Sequence, residues 1–509
     1  MIGPLLKKIL FKNKDYRFTE KSNTEEIKIK EQPINPDLER TIQIFSKIYS
    51  IPVNKDVIVR TFKISGLEKK AAVLSIGTIT DPNLLDEHVL KPLLTNTDNR
   101  RKIDEILGVR GLSTANTNKE AIEKINDGNA ILFVDGEQFA YCINIENFQS
   151  KDITKPDNEV VLKGPKEAFT EKVSTNISLI RKRIKNEGLV VESFVVAKRS
   201  RNEVNLVYIK DLANEKLLNN IKERINNLNV DTIQNLALLE QHIEERELSL
   251  FPTVLYTERP DRAATFLEDG YIVLLMNNSP ASLILPATFW SFFHTPEDHY
   301  MRYIYGNFTR ALRLVAMFIT LFTSAIYVGL TNYHTEMIPP DLLLAIASTR
   351  EKVPFPAFIE VFLMEIAFEL IREGGLRVPS PIGPTIGIVG ALILGQAAVQ
   401  ANIVSPIVVI AVALSGLCSF TVGDISLNYT IRLSRFLFII SAGLFGFLGM
   451  AALFTAGMFY LVSIKSFGIS YLSPMTPKYI SSKDTVFRRF LKNEIFRPGY
   501  LKPKDMKKS

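Results

Sequence analysis

PFPAFIEVFLMEIAFELIREGGLRVPSPIGPTIGIVGALILGQAAVQANIVSPIVVIAVALSGLCSFTVG, Pro354 to Gly423, is the stretch whose reading decides the fold. Carboxylates occupy its first apolar run, while the next two carry no charge until Asp424. Such runs read as membrane rather than core, since a spanning helix needs about 20 mostly apolar residues.

Outward from there, the same character holds over residues 301–470, which we expect to be an all-α polytopic membrane domain. Its apolar stretches are Leu314 to Leu330, Phe355 to Ile371, Pro384 to Ala401, Val404 to Val422 and Phe436 to Ile464, the last with Gly443, Gly446 and Gly449. Arg302, Arg310 and Arg313 precede the first stretch, and the next arginine is Arg350, which places its start on the cytoplasmic side. Residues 471–509 read as a basic tail on that same side, so the crossings are even in number, four by expectation. Five stretches leave the parity open. Either one of them lies in the interface or re-enters, or the last is a broken hairpin. The Phe355 stretch is the preferred exception, because its carboxylates are costly in lipid.

Upstream the composition changes to Lys, Glu, Asn and Asp with short apolar patches. Residues 1–37 read as a mobile N-terminal arm. Residues 38–160 and 161–300 read as two related α/β subdomains. AIEKINDGNAILFVDGEQFAYCINI (Ala121 to Ile145) parallels AATFLEDGYIVLLMNNSPASLILPA (Ala263 to Ala287), with Asp127-Gly128 matching Asp269-Gly270. Each reads as helix, glycine stop, hairpin. KKAAVLSIGTITD and NEVNLVYIKDLAN match as strands running into a turn and a polar helix.

Several function classes are excluded. Two cysteines, Cys142 and Cys418, form no disulfide framework or zinc pattern, and five histidines lie at no ligand spacing, so no metal or cofactor is expected. A net charge of +7 with interleaved acids argues against nucleic acid. There is no phosphate-binding glycine loop, HExxH or GxSxG, so no enzyme is expected.

The informative polar groups lie in the apolar half. Glu365 and Glu369 share a helical face, whereas Glu360 points elsewhere; they are candidate coupling residues, with ion pairs to Arg372 or Arg377 as the structural reading. Gln396 and Gln400 repeat the spacing, and must turn toward protein or water. With Gly383, Thr385, Gly387 and Gly390, they make the Pro384 helix the first choice for a pore lining, against the plainer reading of close helix packing. Asp424, Arg432 and Arg435 read as interface anchors.

The chain resembles the A subunits of GerA-type spore germinant receptors. The resemblance rests on GPKEAFTEKVSTNISLIRKRIK (Gly164 to Lys185), TERPDRAATFLEDG (Thr257 to Gly270), LPATFWSFFHTPEDHY (Leu285 to Tyr300), HTEMIPPDLL (His334 to Leu343), the Pro354 stretch, GIVGALILGQAAVQANIVSP (Gly387 to Pro406) and IKSFGISYLSP (Ile464 to Pro474). It implies a multi-pass protein of the inner spore membrane in an endospore-forming bacterium, with its N-terminal region and tail on the cytoplasmic, spore-core side. It also implies a transporter-like, nutrient-sensing B subunit, a lipoprotein C subunit, and a homo-oligomeric ring that conducts monovalent cations. A non-conducting scaffold, or an accessory subunit like the stage V sporulation protein AF type, is the alternative. After Cys418-Ser419-Phe420 the chain has TVGDISLNYTIRLSRF where a proline-containing turn is the family expectation.

Overall fold

The protein, described from a computed structural model, is ordered into two units, and the description covers residues 28–109, 111–148, 155–377, 383–479 and 484–508. One unit comprises Met1–Gln149 with Lys185–Val190, the other Ser150–Ile184 with Val191–Ser509.

In the first unit Asp37 caps helix α1 (Leu38–Ile48), its carboxylate accepting from the Glu39 and Arg40 amides. Strands β1 (Val57–Lys63), β2 (Lys70–Ile76), β3 (Leu112–Ala115), β4 (Ala130–Val134) and β5 (Ala140–Ile143) form one antiparallel sheet in the order β1-β2-β4-β5-β3. Helix α2 (Asn118–Asn126) lies between β3 and β4 in the chain. Both sheet faces are covered, and β4 divides its residues by period two. Ile131 and Phe133 join Phe45 and Ile122 in one core, while Leu132 and Val134 join Val89 and Leu93 in the other. Of the expected arm, residues 1–27 lie outside the described residues, and its last part is packed: Ile34 is buried in the first core and its N–H donates to the Asn116 carbonyl.

The second unit holds α3 (Val173–Arg183), β6 (Leu189–Val196), β7 (Asn202–Ile209), α4 (Glu215–Asn226), β8 (Leu255–Thr257), α5 (Pro260–Glu268), β9 (Ile272–Met276) and β10 (Ser282–Leu285). Its sheet order, β6-β7-β9-β10-β8, repeats that of the first sheet position for position. The two Asp-Gly stops correspond as well: Gly128 (φ 93°) ends α2 and Gly270 (φ 92°) ends α5, each in the left-handed conformation that a helix stop favours.

The same unit continues into a helical bundle of α6 (Tyr303–Asn332), α7 (Ala357–Arg377), α8 (Gly383–Gln400), α9 (Pro406–Ser419) and α10 (Ile425–Ser463). Helix α10 is not straight. Gly446 has φ 59° and ψ −144°, outside the helical region. Phe438 and Phe454 both pack on Phe322, at 4.9 and 5.8 Å between ring centroids. Residues sixteen apart on a straight helix are separated by about 24 Å, so the chain reverses at Gly446. Both ends agree: Thr430 Oγ1 donates to the Leu250 carbonyl at 2.6 Å, and Tyr460 Oη donates to Ser249 Oγ at 3.3 Å. The last apolar stretch is therefore a broken hairpin, bent where Tyr333 and His334, past the end of α6, meet Gly443 and Phe447.

This settles the direction of each helix. Helix α6 climbs from the α/β region toward the bend. Helix α7 descends, with Phe358 at Gly443 near the bend and Arg372 at Ser419 below. Ile371 opposite Gly390 sets α8 climbing, and Ser415 opposite Thr320 sets α9 descending. The two arms of α10 climb and descend again, giving six antiparallel passes. The Phe355 stretch, expected to be the exception, runs the length of the bundle as α7.

Two charge networks and the candidate functional site

The helical period brings Glu365 and Glu369 to one face of α7, and that face meets α10. Arg435 Nη2 lies 2.9 Å from Glu365 Oε2 and 2.8 Å from Glu369 Oε1. Arg432 pairs with Glu369 through both Nε, at 3.1 Å, and Nη2. Arg372 is more distant, 3.8 Å from Glu369 Oε1, and donates to the Gly416 carbonyl and Ser419 Oγ. Ser324 of α6 donates to Glu365 Oε1 at 2.6 Å, and Arg435 Nη1 donates to Ser415 Oγ of α9 at 3.0 Å. Three guanidiniums thus hold two carboxylates across four helices. Arg432 and Arg435 are partners of the glutamates, not the interface anchors that the sequence suggested. Arg435 is 1% exposed because the carboxylates on α7 compensate its charge. The side chain of Arg377, the other expected partner, lies outside the described residues. Glu360 is separate, paired with Arg350 at 3.2 Å and accepting from the Ser405 amide at 2.9 Å.

A second network joins the α/β region, α6 and the tail. Arg310 Nε donates to Asp298 Oδ2 at 3.1 Å, while its Nη1 pairs with Asp484. Arg313 makes two bonds to Asp298, at 2.9 and 3.0 Å, and a third to the Phe293 carbonyl at 2.7 Å. These arginines, read from sequence as topological charges, are buried and consumed by ion pairs; only Arg302 of the three stays exposed. Burial alone would raise the Asp484 carboxyl, but hydrogen bonds from His299 and Arg310 hold it well below the usual carboxylate range. His299, Asp484 and Glu494 bring their ligand atoms within 4.8 Å, and the Arg310 guanidinium beside Asp484 and His299 already supplies a cation there.

The glutamine pair lies apart from both networks. Ile393, Gln396, Ala397 and Gln400 form one exposed face of α8, while Gly395 and Ala398 turn toward α9 and the bundle core. A methyl group at Gly390 would find only Ile371 at 3.7 Å, ordinary contact rather than tight packing. Gly383, Thr385 and Gly387 lie on α8, but their surroundings fall outside the described residues. The tail is not a free basic segment: Leu501 is 1% exposed, Tyr500 Oη meets Tyr271 Oη at 2.5 Å, and Lys504 pairs with Glu215 at 2.8 Å. Its packing onto α4 and α5 went unread because charge dominated its composition.

A duplicated α/β architecture continuous with a bundle that buries ion pairs, and whose α6 and α10 are long and apolar enough to cross a bilayer, defines a membrane-associated protein with a folded α/β region. The chain belongs to the GerA family: the family described as Bacillus/Clostridium GerA spore germination protein matches over residues 43–500. Among its relatives, spore germination protein KA of Bacillus subtilis (strain 168) is 37% identical over 469 residues, covering 90% of this chain and 86% of that protein. Spore germination protein B1 of the same organism is 35% identical over 482 residues, covering 93% of this chain and 99% of that one. The crystal structure of the N-terminal domain of the A subunit of the Bacillus megaterium spore germinant receptor GerK3 matches with a TM-score of 0.40 and 25% identity, over 51% of this chain and 98% of that chain.

Proposed function

We propose that this chain is the A subunit of a nutrient germinant receptor in the inner spore membrane, crossing it six times, and that copies assemble into a ring conducting monovalent cations. A nutrient-sensing B subunit gates the ring, and a lipoprotein C subunit completes the complex. The N-terminal region and the tail lie on the spore-core side. One observation carries this reading: Gln396 and Gln400 are exposed on the outside of a bundle whose own interior is occupied by paired charges and apolar side chains. In a bilayer, lipid leaves such amides unsatisfied, so their face belongs against protein or water supplied by other chains. A conduit between copies meets that requirement. Glu365 and Glu369, held by Arg435, couple the helices behind the conduit.

The test is ion flux from liposomes holding the chain with its partners. Gln396→Leu with Gln400→Leu should assemble normally and lose most nutrient-triggered K+ release. Normal assembly with unchanged release sinks the pore assignment, and reduced complex abundance with unchanged release per complex points to a scaffold instead.

A further inference from the structure

The first part of the tail is pinned so that its apolar side chains turn outward. Arg488 is 5% exposed and donates to the His299 carbonyl at 2.9 Å and the Met301 carbonyl at 3.0 Å, while its backbone N–H donates to Asn307 Oδ1 at 2.8 Å. The Phe490 ring stacks on Tyr303, 3.9 Å between centroids, at the start of α6. With Arg488 facing in, Phe487, Phe490 and Leu491 are left 58%, 55% and 64% exposed. Beside them on α6, Ile304 and Phe308 are 80% and 56% exposed, and the same stripe runs through Leu312 and Val315 into the apolar span. A contiguous apolar patch of this kind marks an interaction surface, unlike single exposed side chains. Its charges have one sign: Arg302, Arg489 and Lys492 are exposed, whereas the acids Asp484 and Glu494 are partly buried among the described residues of the segment.

We propose that residues 487–495 and the first turns of α6 form one membrane-surface patch that seats on an anionic lipid leaflet. The occupant follows from two features. The apolar stripe runs through Leu312 and Val315 into α6, a membrane-crossing helix in the reading above, on which this inference rests. The flanking cations match anionic headgroups, to which juxtamembrane Lys and Arg are attracted over about a Debye length. Apolar rings at the boundary with basic residues beside them are the composition of an interfacial anchor.

The experiment uses the full chain in vesicles of phosphatidylcholine, with and without phosphatidylglycerol. An environment-sensitive fluorophore is placed at Leu491→Cys in one preparation and at Leu437→Cys, on an exposed face of α10, in another, with Cys142 and Cys418 replaced by Ser in both. The Leu491 probe should shift to the blue and be quenched by lipids spin-labelled near the headgroup. Quenching should rise severalfold with phosphatidylglycerol and fall back in Arg489→Glu with Lys492→Glu. A water-like, unquenched Leu491 probe beside a quenched Leu437 probe overturns the patch alone; loss of quenching at Leu437 overturns the membrane-spanning reading. A blue-shifted Leu491 probe that is shielded only at high protein density, or only with partner subunits present, assigns the surface to protein and overturns the proposal. Quenching indifferent to phosphatidylglycerol and to charge reversal overturns it too.

Discussion

Arg435 on α10 and Glu365 on α7 are 70 positions apart in the chain yet meet at 2.9 Å, with side chains 1% and 0% exposed. A buried charge pair of this kind contributes less to stability than its geometry suggests, because both ions lose water; breaking it is another matter. Arg435→Ala leaves Glu365 buried without its cation and should destabilise the bundle by about 3–5 kcal/mol. Replacing both, Arg435→Met with Glu365→Leu, should restore most of that. Thermal unfolding in detergent measures both, and equal losses in the single and double variants would remove the pair as the cause.

The bend in α10 depends on a residue without a side chain. A Cβ at Gly446 would lie 3.0 Å from Tyr333 and 3.1 Å from His334 Nε2, at a φ of 59°. Gly446→Ala should therefore lower the melting temperature and loosen the contact between Tyr333 and Gly443. Gly390→Ala, with Ile371 at 3.7 Å, should change it little. Melting curves of the two variants side by side decide the matter.

Acid should weaken the joint between the α/β region, α6 and the tail. The Asp484 and Asp298 carboxyls are both depressed despite burial, by His299 and Arg310 for the first and by Arg313 and Arg310 for the second. A depressed group contributes stability that is present above its unfolded value, 3.8 here, and lost as pH falls toward the folded one. Limited proteolysis of the tail should accelerate below about pH 4. Asp484→Asn should cleave readily at neutral pH and have a flatter acid response; a wild-type acid response in this variant would sink the assignment.

A rise from mildly acidic to neutral pH should act through a different residue. Burial, with the charges of Glu244 and Asp424 nearby, pushes the Glu240 carboxyl up to about 8. A raised group contributes stability that is full below its unfolded value and lost as pH rises through the folded one. Stability should decline between about pH 5 and pH 8, and Glu240→Gln should remove part of that slope. Identical pH profiles for the two proteins would dismiss Glu240 as the source.

Much of this architecture is legible in the residues. The paired Asp-Gly stops reveal the duplication because a helix ending in left-handed glycine followed by a hairpin is a local pattern, complete within some twenty-five positions. The shared face of Glu365 and Glu369 is likewise local. Their partners were not legible: Arg432 and Arg435 border another apolar run, and nothing short of the packing of α7 on α10 distinguishes an arginine facing carboxylates from one facing headgroups. The reversal at Gly446 was visible as one of three glycines but not distinguishable from Gly443 and Gly449, since its φ follows from the contacts of Tyr333 and His334. The tail was read by charge, which concealed that Tyr500, Leu501 and Arg488 are buried.

The return of the tail onto α4 and α5 has a mechanical consequence. The first pass of the bundle begins and the last one ends on the same α/β body, through the Arg310 network for α6 and through Ser249 and Arg246 for the end of α10, and the tail beyond returns to that body at Tyr500 and Lys504. Fixed at two points, α6 and the second arm of α10 act as a frame, and the buried contacts of Glu365, Arg435 and Ser415 hang α7 and α9 on it.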